Sequence, residues 1–226
     1  MTDTDWAELD DLDTAKDKIL DAALPNVAFD GWSPQTLRAA IEASGVDAEM
    51  AKLAFPRGAV DLALYFHDRA DAQLKAELEA TDMRDVRIRE KIAFAVRRRL
   101  ELVGEDREAV RRAASMFALP PYAADGARAI WRSADIIWTG IGDTSEDGNW
   151  YSKRAILSSV FTATTLFWLG DMSEGCEDTW AFLDRRIAGV MQFEKVKADL
   201  NANPLGRLAM AGPNMLMRMV KKPKTA

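Results

Sequence analysis

A chain of 226 residues, 48% of them hydrophobic, is long enough to bury a sizeable core without staples. A single cysteine, Cys176, excludes an intrachain disulfide, and Cys176 with the lone His67 cannot assemble the four Cys or His ligands of a structural zinc site. A net charge of −6 argues against a nucleic-acid partner, and the cysteine usage fits a reducing cytosol.

The first thirteen residues hold six acids (Asp3, Asp5, Glu8, Asp10, Asp11 and Asp13) and no base, unlike a transit peptide or a signal-peptide start. Residues 1–13 are therefore expected to be an acidic, flexible N-terminus of the mature protein. Beyond them strand signals are nearly absent, and 3.6-residue periodicity predicts an all-α chain of about ten helices. The first covers 14–24. Ser33 and Pro34 give an N-cap and a proline at the first helical position, opening a helix that closes at Ser44-Gly45. Asp47 caps another, ending near Phe55, and after the turn Pro56-Arg57-Gly58 a long helix covers 59–80. Three short helices before a long one, with Ser44-Gly45-Val46 as the compact turn, give a TetR-like, helix-turn-helix-like head over 14–58. Its third helix offers Asp47, Glu49 and one Lys52 where DNA reading needs Arg, Lys, Asn or Gln, so the motif is degenerate.

A larger helical body is expected over 59–200. A helix over 85–103 puts Ile88, Ile92, Val96, Leu100 and Val103 on one face; helices over 106–118 and 122–141 follow, the latter with Trp131 and Trp138 facing inward. Asn149 caps a helix over 150–169 that is apolar nearly all round beyond Arg154 and belongs in the interior. Its uncharged run, 155–169, is fifteen residues long and carries five hydroxyl side chains, too short and too polar for a good membrane span. A last body helix over 174–199 repeats Trp180, Leu183, Ile187 and Val190.

No catalytic, metal or cofactor constellation is found: His67 lacks triad company, and Gly140-Ile141-Gly142 lacks the third glycine and the strand of a dinucleotide fingerprint. The tail, 201–226, has five bases and no acid, so +5 sits there and −11 on the rest of the chain. Leu205, Leu208, Met215, Leu216 and Met219 share a face, with Arg218, Lys221 and Lys222 at its polar side and a kink at Gly212-Pro213. This is the pattern of an amphipathic helix at a membrane surface; packing back on the body, or a protein partner, fits the same pattern.

The segment Asp143-Thr144-Ser145-Glu146-Asp147-Gly148-Asn149-Trp150-Tyr151-Ser152-Lys153-Arg154, with Glu177-Asp178-Thr179-Trp180 downstream and Phe55-Pro56-x-Gly58 upstream, resembles the ninth named component of the coenzyme Q pathway, a TetR-like, lipid-binding accessory family of ubiquinone biosynthesis. The likeness covers about residues 15–191. It implies a non-enzymatic homodimer that has lost DNA binding, holds an isoprenoid quinone intermediate or a phospholipid, and presents the quinone precursor to the di-iron demethoxyubiquinone hydroxylase. The hydroxylase patch maps onto Ile137, Asp143, Asp147, Trp150 and Tyr151, and an arginine near a phospholipid head group onto Arg154. The resemblance also implies a cytoplasmic protein, peripheral on a bacterial inner membrane, where eukaryotic relatives sit at the mitochondrial inner membrane. Phe94, Trp131, Trp138, Phe161 and Trp168 are the expected cavity lining, on helices 88–103, 131–141 and 157–168. A TetR-family regulator sensing an apolar ligand is the competing expectation.

Overall fold

The structure, a computed structural model, describes the backbone of residues 3–146 and 148–202 and the side chains of residues 11–146 and 148–192. Every regular element in that range is helical: α1 (Asp3–Asp30), α2 (Pro34–Ser44), α3 (Ala48–Ala54), α4 (Ala59–Ala80), α5 (Ile88–Glu101), α6 (Arg107–Phe117), α7 (Ala123–Gly140), α8 (Gly148–Gly170), a 3-10 turn (Glu174–Cys176) and α9 (Glu177–Ala202). Asp147 lies outside the described residues, as does the basic tail with Leu205, Leu208, Met215, Leu216, Arg218, Met219, Lys221 and Lys222.

The largest departure from expectation is α1, which begins at Asp3 rather than after a flexible arm and continues through Pro25 to Asp30. The pattern stops at Leu24 because proline cannot donate the next helical hydrogen bond. Here Pro25 and Asp21, whose carbonyl loses that donor, both lie on the exposed side, where water substitutes. The inward face, Ala15, Ile19, Leu20, Ala23 and Val27, runs unbroken past the proline, so burial overrides local propensity.

The head forms as the caps dictate. Ser33 Oγ accepts from Thr36 N at 3.1 Å, and Gly45, at φ +67°, supplies the left-handed residue that ends α2. Asp47 then accepts from Glu49 N and Met50 N to start α3. On α3 the exposed residues are Ala48, Glu49, Lys52 and Leu53, a surface with one base.

Contacts divide the chain into two compact units, Met1–Gln73 with Glu101–Ala129 and Leu74–Leu100 with Ile130–Ala226. The first takes in more than the 14–58 head because α1 to α3 need further helices to close their core. Trp32, after α1, donates its indole N–H to Ala109 O of α6 at 3.0 Å and packs on Phe66 of α4 at 5.4 Å between ring centres. In the second unit Arg98 of α5 makes a two-pronged ion pair with Glu77 at the end of α4, both bonds 2.9 Å. Gly140 there is a packing glycine: a Cβ would lie 2.7 Å from Leu78 Cδ1.

Trp32→Phe leaves the buried Ala109 carbonyl without its donor and is expected to lower unfolding free energy by about 2 kcal/mol, read as a shifted urea midpoint at unchanged slope.

Candidate functional site

The second unit contains an open groove of about 570 Å³, within the size range of small-molecule sites. Its lining is segregated along the sequence. The loop between α7 and α8 and the first turns of α8 supply Asp143, Thr144, Ser145, Asn149, Ser152 and Lys153. Apolar walls come from α5 (Ile88, Ile92), α7 (Trp138), the next turns of α8 (Ile156, Leu157, Val160) and α9 (Ile187, Val190, Met191). A second hollow, bordered by Arg87, Arg89, Glu90 and Asp184, adjoins at Ile88 and Met191. Those two side chains are 42% and 46% exposed, so the apolar walls reach the surface there.

The polar end is organised by one carboxylate. The Asp143 side chain, 3% exposed, receives Lys153 Nζ at 2.6 Å, Ser145 Oγ at 2.9 Å and Arg154 Nη1 at 3.1 Å. Arg154 also donates from Nε to Asp135 Oδ1 at 2.5 Å and from Nη1 to Trp150 O at 3.2 Å, and its guanidinium sits 4.1 Å from the Trp150 ring centre. The charges thus alternate, Lys153, Asp143, Arg154, Asp135, and cancel. Burial works to raise the Asp143 pKa, but the hydrogen bonds from Lys153, Ser145 and Arg154 outweigh it and hold the group below the ordinary carboxylate value. Gly142, at φ +89°, makes the turn that delivers Asp143 to this position. Lys153 Nζ also stands 5.1 Å over the Trp138 ring, while Trp138 Nε1 donates to Lys153 O at 3.0 Å.

The far end of α8 is fixed by a second carboxylate. Asp171 accepts from Ser173 N and Oγ at 2.8 and 2.6 Å and from Thr179 N and Oγ at 2.9 and 2.5 Å. The hydrogen bonds from Ser173 and Thr179 hold its pKa well below the usual carboxylate range. They bind the end of α8 to the start of α9 across the break at Gly175 and Cys176, which have φ +61° and +58°.

The expected site residues scatter. Of the five aromatics expected to line a cavity, Trp138 lines the groove. Phe94 is 37% exposed, because α5 turns Ile92, Ala95 and Val96 inward and leaves Phe94 on the outer face. Phe161 and Trp168, each 2% exposed, belong to closed core. Trp131 packs on Trp150 and Tyr151, at 6.0 and 6.3 Å between ring centres, away from the groove lining. Arg154 is neutralised by two aspartates with a side chain 1% exposed, which removes it as a head-group contact. In the expected partner patch Ile137 is fully buried and Trp150 is 6% exposed, with no hydrogen-bond partner for its Nε1 among the described residues. Tyr151 keeps a partly exposed side. Sequence reasoning missed Lys153, Ser152, Ile156 and the α9 wall; the stripe containing Ile187 and Val190 was the available signal. Among the described residues no group of three or more His, Cys, Asp or Glu is placed to hold a metal, and no helix is long and apolar enough to cross a membrane.

Asp143→Asn leaves buried Arg154 with one carboxylate and is expected to cost about 3 kcal/mol at neutral pH. A lowered folded pKa means that Asp143 stabilises above the unfolded carboxylate value and loses this contribution as pH falls through the folded one. Wild-type stability should therefore fall more steeply than the variant's below about pH 4 in parallel urea melts.

Residues 123–194 match the family model described as COQ9, a stretch that takes in α7, α8 and the described length of α9. The chain is 32% identical to "Ubiquinone biosynthesis protein COQ9, mitochondrial" of Drosophila melanogaster over 187 residues, 81% of this chain and 57% of that protein. It is 29% identical to the protein of the same name from Homo sapiens over 181 residues, 77% of this chain and 57% of that one. "Probable ubiquinone biosynthesis protein coq9, mitochondrial" of Dictyostelium discoideum is 27% identical over 191 residues, covering 82% and 62%. The chain thus spans less than two thirds of the length of these curated relatives. Among solved structures it is similar to a TetR transcriptional regulator from Nitrosomonas europaea, with a TM-score of 0.62, 20% identity, and coverage of 76% of this chain and 95% of that one. The fold is all-α and TetR-like.

Proposed function

We propose that this chain, a COQ9 homologue with a TetR-like fold, is a lipid-binding accessory protein of ubiquinone biosynthesis that holds an isoprenoid quinone intermediate in the groove and presents it to the demethoxyubiquinone hydroxylase. The observation that carries this is a coincidence of position: the COQ9 match, 123–194, takes in Trp138, the Asp143 loop, the α8 wall and the α9 wall of an apolar groove with one polar end. An apolar trough that surfaces at Ile88 and Met191 suits a ligand with a long hydrocarbon tail. In this reading the protein has no catalytic residues of its own and works at the membrane surface, held there by the basic, methionine-rich tail. A homodimer belongs to the same reading, supported by the exposed uncharged stripe Ala155, Ser159, Thr162 and Leu166 on α8.

The full chain, purified and extracted with organic solvent, is expected to release an isoprenoid quinone or quinone precursor in mass spectrometry. Repeatedly lipid-free protein that takes up no added quinone would sink the idea.

The hydroxylase would meet the protein around Tyr151, the partly exposed member of the Trp131, Trp150 and Tyr151 cluster. Composition supports this, since Trp, Tyr and Arg dominate interaction hot spots. Tyr151→Lys should reduce hydroxylase capture by about tenfold or more while helical circular dichroism is unchanged. Undiminished capture would move the contact elsewhere.

A further inference from the structure

Lys153 is the one cation that lines the groove, and its setting determines what kind of head a ligand can present there. Two of the three ammonium donors are used, by Asp143 Oδ1 and Ser145 Oγ, both at 2.6 Å. The side chain is 37% exposed, and its ammonium stands over the Trp138 ring beside the hydroxyls of Thr144 and Ser152. Arg154, the next cation along α8, is closed off by Asp135 and Asp143.

The polar end therefore offers hydrogen-bond donors but no surplus positive charge. Lys153 and Arg154 are balanced by Asp143 and Asp135, and Glu146 lies exposed on the same loop. A phosphate placed here would meet the Asp143 carboxylate with no uncommitted cation among these four, and desolvating it would go uncompensated. An uncharged carbonyl or hydroxyl oxygen needs only a donor. The remaining ammonium proton and the serine and threonine hydroxyls provide donors without breaking the pairs.

We propose that Lys153 is the specificity-determining residue of the groove, hydrogen-bonding an uncharged, oxygen-bearing ring of the quinone or phenol type, and that the charge-balanced cluster behind it excludes lipids with phosphate head groups. This rests on the reading that the groove holds lipid. It also orients the ligand, ring toward the α7–α8 loop and hydrocarbon tail toward Ile88 and Met191.

The test uses the full chain, stripped of lipid, and three probes followed by tryptophan fluorescence quenching and competition: decylubiquinone, dioctanoyl phosphatidylglycerol, and farnesene, an isoprenoid hydrocarbon with no polar head. Wild-type protein should bind decylubiquinone about tenfold or more tightly than the phosphatidylglycerol. Lys153→Met, which keeps the apolar stem and leaves Asp143 paired with Arg154, should weaken decylubiquinone about fivefold and leave farnesene unchanged, while Lys153→Arg retains quinone binding. Equal affinity for the two headed probes, or unaltered quinone binding in Lys153→Met, overturns the head-group proposal while bound farnesene keeps the lipid reading. Loss of farnesene along with quinone in Lys153→Met makes Lys153 a structural residue and overturns it equally. If none of the probes binds wild-type protein, the lipid reading falls and the proposal with it.

Discussion

The ion pair between Asp143 and Arg154 is the contact on which the site depends. It joins the loop after α7 to the second turn of α8, and both side chains are almost completely withdrawn from solvent. Separately, each charge is costly to bury; together, with Asp135, Lys153, Ser145 and the Trp150 carbonyl supplying the remaining hydrogen bonds, they form a satisfied cluster. The loop's course, the pose of Lys153 and the polar end of the groove all follow from where Asp143 is held.

Asp171 does comparable work at the other end of α8, where it collects four hydrogen bonds and sets the start of α9. Between the two carboxylates α8 contributes mass to the core through Leu157, Val160, Phe161, Trp168 and Leu169. The groove is thus a gap left between helices whose ends are fixed by polar contacts. Its apolar walls alone would favour closing up, because burial rewards collapse without specifying a shape.

Helix number and order were legible in the sequence because caps and breakers are local: Ser33-Pro34, Gly45, Asp47 and the turn at 56–58 act through neighbouring residues. Pro25 misled for the same reason, since the burial of Val27 that carries α1 onward is a tertiary effect. The site was less legible. Trp138 and the segment 143–154 stood out by composition, yet the roles assigned to Arg154, Ile137, Trp150 and Phe94 followed residue type and resemblance, and burial reassigned them. Whether an arginine faces a ligand or an aspartate depends on which carboxylates the fold brings beside it. Asp135 and Asp143 lie 19 and 11 residues away in sequence, where no helical periodicity would pair them with Arg154.

The composition of α8 has a consequence for how the helix is turned about its own axis. Between Ala155 and Gly170 it carries no charge, and apolar side chains occur all round it, so hydrophobic burial gives nearly the same return at several rotations. A helix of that kind has no preferred face until something polar marks one. Arg154 and Asp171 bracket the stretch like index pins on a shaft, and the angle they set decides that Ile156, Leu157 and Val160, rather than their neighbours, form the groove wall.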